Sequence, residues 1–314
     1  MTITCSCRFR AALVAAAALV CPPPAAALDP RKLLTQYGHD AWQVEDGLPQ
    51  SNVKAIHQTR DGYLWLATEE GLARFDGVRF TVFDAASTPE MRVNAVNTLF
   101  EDEAGSLWIG THGGGLLRYE GGRFTAYGVP DRPLLRVTGL AAGPPRGLWV
   151  GTGLGLLRTD GGPLALHPRS EELGVTGVIA MRTDRRGTLW MGTRTRGLVA
   201  LSGDRIRRYT TAEGLAADHV WSLAESARGG LWVGTDKGLD HLAEDGTVTA
   251  VLAGEIVRAL LEDRDGNLWV GTNDHGLKRL HAGRWLTLGT AEGLSAPSVV
   301  SLYEDREGSL WVGT

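Results

Sequence analysis

Seven tryptophans cut this chain into nearly equal lengths. Trp65, Trp108, Trp149, Trp190, Trp232, Trp269 and Trp311 each stand in a Leu-Trp-x-Gly/Ala-Thr segment, at spacings of 43, 41, 41, 42, 37 and 42 residues. Self-similarity at such a period marks a repeat architecture in which no unit can bury its apolar face alone. Twelve residues before each tryptophan stands a valine: Val53, Val96, Val137, Val178, Val220, Val257 and Val299. Nine before it stands a larger aliphatic: Ile56, Leu99, Leu140, Met181, Leu223, Leu260 or Leu302. Between these, the residue ten before the tryptophan is small: Ala55, Thr98, Gly139, Ala180, Ser222, Ala259 or Ser301, which implies a crowded position.

Period-two patterning and turn chemistry predict four strands per unit. In the first, Val53 to Thr59 is strand A, Tyr63 to Thr68 strand B, Gly71 to Phe75 strand C and Arg79 to Phe83 strand D, with Asp76-Gly77 as a two-residue hairpin signal. Alternation along Leu-Trp-x-Gly-Thr leaves both sheet faces apolar, so both must be covered. Radial stacking of the sheets achieves this, and the expected fold is an all-β, seven-bladed β-propeller of four-stranded antiparallel blades. Each buried indole removes about 150–250 Å² from water, a gross gain of roughly 4–6 kcal/mol before entropy. The seven repeat tryptophans are therefore read as structural. The last blade is incomplete, because Thr314 falls within its strand B. The expectation is a fragment or a truncated reading frame with an output module beyond it. Trp42 leads through Asp46-Gly47-Leu48 to Val53 just as Tyr209 leads through Glu213-Gly214-Leu215 to Val220. Gln36 to Val44 is accordingly expected to be a strand D that closes the last blade.

The ends and the charge narrow the setting. Arg8 and Arg10 precede the apolar run Ala11 to Val20, and Ala25-Ala26-Ala27 supplies the small residues a signal peptidase reads. Residues 1–27 are read as a signal peptide and 28–314 as the propeller, a periplasmic product. All three cysteines, Cys5, Cys7 and Cys21, fall in the leader, so no disulfide is expected. Val20 is too large for the residue that precedes a lipoprotein anchor at Cys21. No later stretch reaches the roughly 18 apolar residues of a membrane span. Loss of the leader removes two arginines and moves the formal charge from −4 to −6. That balance gives no electrostatic basis for binding nucleic acid or anionic lipid.

These motifs resemble the two-component regulator propeller repeat family. Asp46-Gly47-Leu48-Pro49, Asp61-Gly62-Tyr63-Leu64-Trp65, Gly71-Leu72-Ala73-Arg74 and Phe80 fit its unit, and the resemblance runs from about Gln36 to Thr314. Gly143-Pro144-Pro145-Arg146-Gly147 departs from the usual turn, and Ala67 stands where other units have glycine. The resemblance implies a periplasmic sensor region of a receptor, followed elsewhere by a membrane helix and an output domain. That output is commonly a histidine kinase and sometimes a diguanylate cyclase.

Catalytic signatures are missing: there is no HExxH, Gly-x-Ser-x-Gly, phosphate loop or Cys/His metal spacing. No cofactor is expected. The eight histidines are scattered, and Glu101-Asp102, Glu262-Asp263 and Glu304-Asp305 recur at one offset, which argues for turn formation. Binding chemistry is expected where the repeats differ, in the loops from strand B to strand C. Candidate ligand-binding residues there are His112, Arg194, Arg196, Asp236, Lys237, Asn273, Asp274 and His275. Arg194 and Arg196 suit a carboxylate or sulfate, and Asn273 and Asp274 suit sugar hydroxyls. The leading expectation is a non-enzymatic sensor for an extracellular solute, for which an acidic oligosaccharide would fit, with neighbouring receptor domains or a homodimer as partners. Alternatives are a carbohydrate-active propeller enzyme and a passive interaction scaffold. The residues eleven before each tryptophan, Lys54, Asn97, Thr138, Ile179, Trp221, Arg258 and Val300, show no concentration of catalytic types.

Overall fold

Every expected turn interrupts a strand, and the strands pair with their nearest neighbours in sequence. The structure, a computed structural model, describes residues 38–128, 135–144, 146–160, 162–175 and 177–314. The leader lies outside the described residues.

The first sheet holds β1 (Ala55–Gln58), β2 (Leu64–Ala67), β3 (Leu72–Phe75) and β4 (Phe80–Phe83). The second holds β5 (Val96–Glu101), β6 (Leu107–Thr111), β7 (Leu116–Glu120) and β8 (Arg123–Tyr127). The third holds β9 (Val137–Gly143), β10 (Gly147–Thr152), β11 (Gly155–Thr159) and β12 (Ala165–Leu166), followed by the short helix α1 (Ser170–Leu173). The fourth holds β13 (Val178–Thr183), β14 (Leu189–Thr193), β15 (Leu198–Ser202) and β16 (Arg205–Tyr209). The fifth holds β17 (Val220–Glu225), β18 (Leu231–Thr235), β19 (Gly238–Leu242) and β20 (Val248–Ala253), and the sixth β21 (Val257–Glu262), β22 (Leu268–Thr272), β23 (Leu277–His281) and β24 (Arg284–Leu288). β25 (Ser301–Glu304) and β26 (Leu310–Gly313) form a two-stranded sheet.

The propeller class is as expected, but the blade count is not. Among the described residues there are six four-stranded blades, and the seventh repeat contributes two strands only. The closing strand expected over Gln36 to Val44 is also corrected. Residues 38–43 carry no strand, and Val44–Asp46 is a 3-10 turn that ends on Gly47 at φ 100°. A strand needs a ladder to join, and among the described residues no strand flanks β26 on its outer side. The innermost strands nonetheless form a closed circle: β1, β5, β9, β13, β17, β21 and β25 touch in that order, and β25 touches β1.

The repeat residues explain how the blades lock together. A Cβ added at the glycine of Leu-Trp-x-Gly-Thr would meet the first valine of the next blade. It would lie 2.6 Å from a Val137 methyl at Gly110, 2.7 Å from Val220 at Gly192, 2.7 Å from Val257 at Gly234 and 2.6 Å from Val299 at Gly271. Those valines are fully buried, so the glycine is a socket for its neighbour's side chain. Gly313 receives Val53 in the same way, at 3.1 Å, across the closure.

The recurrent carboxylates have a second use besides making turns. Asp102, Asp184, Asp263 and Asp305 accept the indole N–H of Trp108, Trp190, Trp269 and Trp311 at 2.7, 2.8, 2.6 and 2.7 Å. The glutamates before Asp102 and Asp305 reach the preceding blade, where Glu101 and Glu304 accept the backbone N–H of Arg60 and Arg264 at 3.0 and 3.1 Å. The Arg306 guanidinium closes the ring by donating to the Arg60 and Thr59 carbonyls at 2.8 and 2.7 Å.

Candidate functional site

The loops from the second to the third strand of each blade hang from one repeated hydrogen bond. Thr68, Thr111, Thr152, Thr193, Thr235 and Thr272 donate their hydroxyls to the carbonyls of Gly71, Gly115, Gly155, Gly197, Gly238 and Gly276. All six threonines are buried. Their oxygens also accept loop N–H groups, including those of Arg196, Lys237 and His275. The loop backbone is thereby constrained while its side chains are free to differ.

At the same end of each blade the innermost strand carries a bulge. The register slips between Val96 and Thr98, Val178 and Ala180, Val220 and Ser222, and Val257 and Ala259, and Thr138 is skipped in β9. The extra residues are Asn97, Thr138, Ile179, Trp221 and Arg258, and a bulge re-aims the side chain it carries. Lys54 and Val300 hold the matching places, donating N–H groups to Ala67 and Gly313. All seven are half-buried beside a buried valine.

In the fifth and sixth blades the bulge residues and loop residues join into one polar cluster. Trp221 donates its indole N–H to Asp236 Oδ1 at 2.6 Å, and His219 Nδ1 lies 2.9 Å from Asp236 Oδ2. The His219 ring stacks on Trp221 with centroids 4.2 Å apart, and the Arg258 guanidinium sits 4.1 Å above the same indole. Both groups pack against the indole. Arg258 donates to Asn273 Oδ1 at 3.3 Å, and Asn273 donates to Asp274 at 3.0 Å. Below them Lys278 and Glu255 pair at 2.9 Å, with His275 3.9 Å from the same carboxylate. Burial pulls the Arg258 guanidinium below its ordinary range and Asp236 partly restores it. Among the described residues Arg258 makes this single hydrogen bond, so most of its five donors are open to a ligand.

The His219–Asp236 pair has the outline of a base and its orienting carboxylate. Its free Nε2, however, is buried without a partner, and the stacked indole covers the ring. A substrate proton has no route to it in this arrangement. His219 and Arg258 both pack on the Trp221 indole, so a ligand meets Arg258 and the exposed Lys237, Asp274 and His275.

The sequence-derived candidates separate into groups. Asp236, Asn273 and Asp274 belong to the cluster, with Lys237 and His275 on its rim. The two polar groups of Asn273 are already engaged by Arg258 and Asp274, which leaves less for a sugar hydroxyl than expected. His112 lies in the second blade near a different set, where Lys54 bonds Glu69 at 2.8 Å and Asn97 at 3.4 Å. Burial first, then Arg136 and Lys54, lower the His112 pKa, whereas Glu69 raises it. Arg194 and Arg196 are exposed in the fourth blade, with Arg196 against Gly174 at the end of α1, and among the described residues no hydrogen bond or ion pair joins them to the other candidates. Trp221 and Arg258, weighed above only for catalytic types, and His219, one of the scattered histidines, were not among the binding candidates. The signal was there in His219-x-Trp221, but their link to Asp236 requires the strand pairing. Among the described residues no group of three His, Cys, Asp or Glu side chains is placed to hold a metal.

The family described as "two component regulator propeller" matches residues 47–70, 90–113, 214–237, 251–274 and 293–314. The chain resembles the extracellular domain of a B. thetaiotaomicron protein assigned as a hybrid two-component system, with 25% identity and a TM-score of 0.75 over 88% of this chain. It spans 40% of that domain. A second such B. thetaiotaomicron domain matches at 20% identity and TM-score 0.72, covering 85% of this chain and 38% of the other. Virginiamycin B lyase from Staphylococcus aureus shares the fold at 14% identity and TM-score 0.67, covering 84% of this chain and 92% of the lyase. No curated protein matches the chain. Among the described residues no helix is long and apolar enough to cross a membrane.

Proposed function

Because this chain belongs to the two-component regulator propeller family, we propose that it is the periplasmic ligand-sensing propeller of a bacterial signal-transduction receptor. The observation that carries this reading is the contrast between frame and display. Six blades repeat the same threonine clamp, while the bulges and loops above it differ from blade to blade. Variable polar groups on a constant frame are how a repeat scaffold acquires specificity. In blades five and six those groups are connected, so a ligand that neutralises Arg258 also touches the Trp221, Asp236 and Asn273 network. The favoured solute carries a carboxylate or sulfate beside hydroxyls, as acidic oligosaccharides do. Receptor output, by kinase or cyclase, belongs to other segments of such a receptor.

The test is a tryptophan-fluorescence titration of the purified protein against a panel of uronate and sulfated oligosaccharides. Binding should perturb Trp221 emission, and Arg258→Gln should weaken affinity about tenfold, the effect of losing one charged hydrogen bond. If no member of the panel binds, or if Arg258→Gln and Lys237→Gln both bind as the parent does, the reading fails.

A further inference from the structure

A second, unrelated site lies at the other end of the strands. The turns from first to second strand occupy the end opposite the loops just described, because the strands are antiparallel. There, between the fourth and fifth blades, opens a cleft of 580 Å³. Five arginines line it: Arg185, Arg186, Arg205, Arg207 and Arg228.

The local sequence explains their convergence. In β16, Arg205-Ile206-Arg207-Arg208-Tyr209, alternation sends Ile206 into the core shared with the third blade and Arg208 to the Glu172 carbonyl. Arg205, Arg207 and Tyr209 face the other way, into the cleft. Arg228 comes from the turn of the fifth blade. Four other turns begin with the aspartate that accepts the indole, but here Ser226 takes its place, and Trp232 donates to Glu262 at 2.6 Å instead. This turn therefore has one carboxylate fewer to set against Arg228.

Arg185 pairs with Glu225 at 3.4 Å and Arg186 with Glu244 at 2.5 Å. Asp184 is used by the Trp190 indole and by two backbone N–H groups. Arg205, Arg207 and Arg228 are exposed and have no side-chain hydrogen bond or ion pair among the described residues. Arg205, Arg207 and Arg228 thus present open donors to one concavity whose lining sets five arginines against the three carboxylates Asp184, Glu225 and Glu244, a net positive lining in a chain whose formal charge is −4. Concave walls and like charges concentrate potential on a counter-ion.

We propose that this cleft is an oxyanion-binding site for a ligand with two or more phosphate, sulfate or carboxylate groups, held by Arg205, Arg207 and Arg228. Planar guanidinium forks pair bidentately with such groups, and one anionic group alone cannot satisfy three forks. Large exposed apolar side chains such as Val78 and Leu166 lie outside its lining, so a free anion in solution fits better than insertion into a lipid surface. This site does not depend on the sensing role proposed above.

The experiment titrates the whole protein with tripolyphosphate, a disulfated disaccharide and citrate by calorimetry at low and physiological salt. Binding of at least one probe is expected, weakened by salt, with Arg205→Gln, Arg207→Gln and Arg228→Gln each lowering affinity about tenfold. Arg123→Gln, which removes an exposed arginine from the second blade, should leave it unchanged. Which probe binds most tightly identifies the oxyanion. Failure of all three probes, or equal losses from Arg123→Gln and the cleft variants, overturns the proposal. An unaltered affinity in the triple variant overturns it as well.

Discussion

Trp42 lies stacked on Trp311, with ring centroids 5.1 Å apart and planes inclined by 21°. The contact joins the segment before the first repeat to the last. In other blades the same place over the repeat tryptophan is taken by an aromatic of the fourth strand: Phe83 on Trp65 at 5.6 Å, Tyr127 on Trp108 at 5.1 Å and Tyr209 on Trp190 at 6.1 Å. Trp42 also meets Phe75 of the first blade edge-on at 5.4 Å. Side-chain packing thus closes the ring where backbone pairing does not.

Replacing Trp42 by alanine should accordingly cost about 1–2 kcal/mol, an aromatic pair plus part of its buried area. Urea unfolding of the two proteins measures the loss. An unchanged midpoint would show that the stack is idle.

Hydrogen exchange should grade the blades. β6 is paired on both sides, by β5 and β7, whereas among the described residues β26 pairs with β25 alone. Amides of Leu310–Gly313 should exchange far faster than those of Leu107–Thr111. Equal protection factors in the monomer would contradict this.

Arg306 should matter more than its exposed position suggests, because its two donors hold the first blade's turn. Arg306→Ala is expected to lower stability by about 1–2 kcal/mol, the charged-bond value discounted for solvent. Arg306→Lys should recover little, since one ammonium cannot span both carbonyls with a planar fork. Full recovery in thermal denaturation would count against the bidentate contact.

Gly110→Ala should test the socket between blades. Its Cβ would come within 2.6 Å of both Thr98 Cγ2 and Val137 Cγ1, so overpacking of about 1–3 kcal/mol is expected. Adding Val137→Ala should relieve part of that strain, a favourable coupling in a double-mutant cycle. Strict additivity of the two costs would refute the contact as its origin.

Mild acid should destabilise the ring through His57. Burial lowers its pKa, Glu101 raises it less and Arg306 lowers it further. A depressed folded-state value means that the unfolded chain takes up the proton first. Stability is therefore present above the unfolded pKa of about 6.5 and declines as pH falls from there toward the folded value. His57→Gln should flatten that part of the urea-unfolding profile between pH 7.5 and pH 5.5, values chosen to lie about one unit either side of the unfolded pKa. A variant with an undiminished slope would assign it to other groups.

Much of this protein was legible in one dimension, because period, alternation and turn residues are local properties. Leu-Trp-x-Gly-Thr specified the second strand and its two apolar faces, whereas the hydrogen bond its threonine makes to a glycine carbonyl came only with the structure. The fixed offset of Val137 or Val257 marked the innermost strand. The structural reading of Asp102 and Asp305 followed from their recurrence alone. What sequence could not supply was everything that depends on which side chains from different repeats meet. The blade count rests on whether a strand finds a ladder, and residues 38–43 find none, so Trp42 takes hold through its ring instead. The bulge that turns Trp221 and Arg258 toward Asp236 and Asn273 is a register slip, invisible until two strands are paired. The unpaired arginines likewise stand at Arg205, Arg207 and Arg228, and only the packing of blade four against blade five makes them neighbours of one cleft. Local chemistry chose the elements; distances between repeats, fixed by tertiary closure of the ring, decided which charges were left without partners.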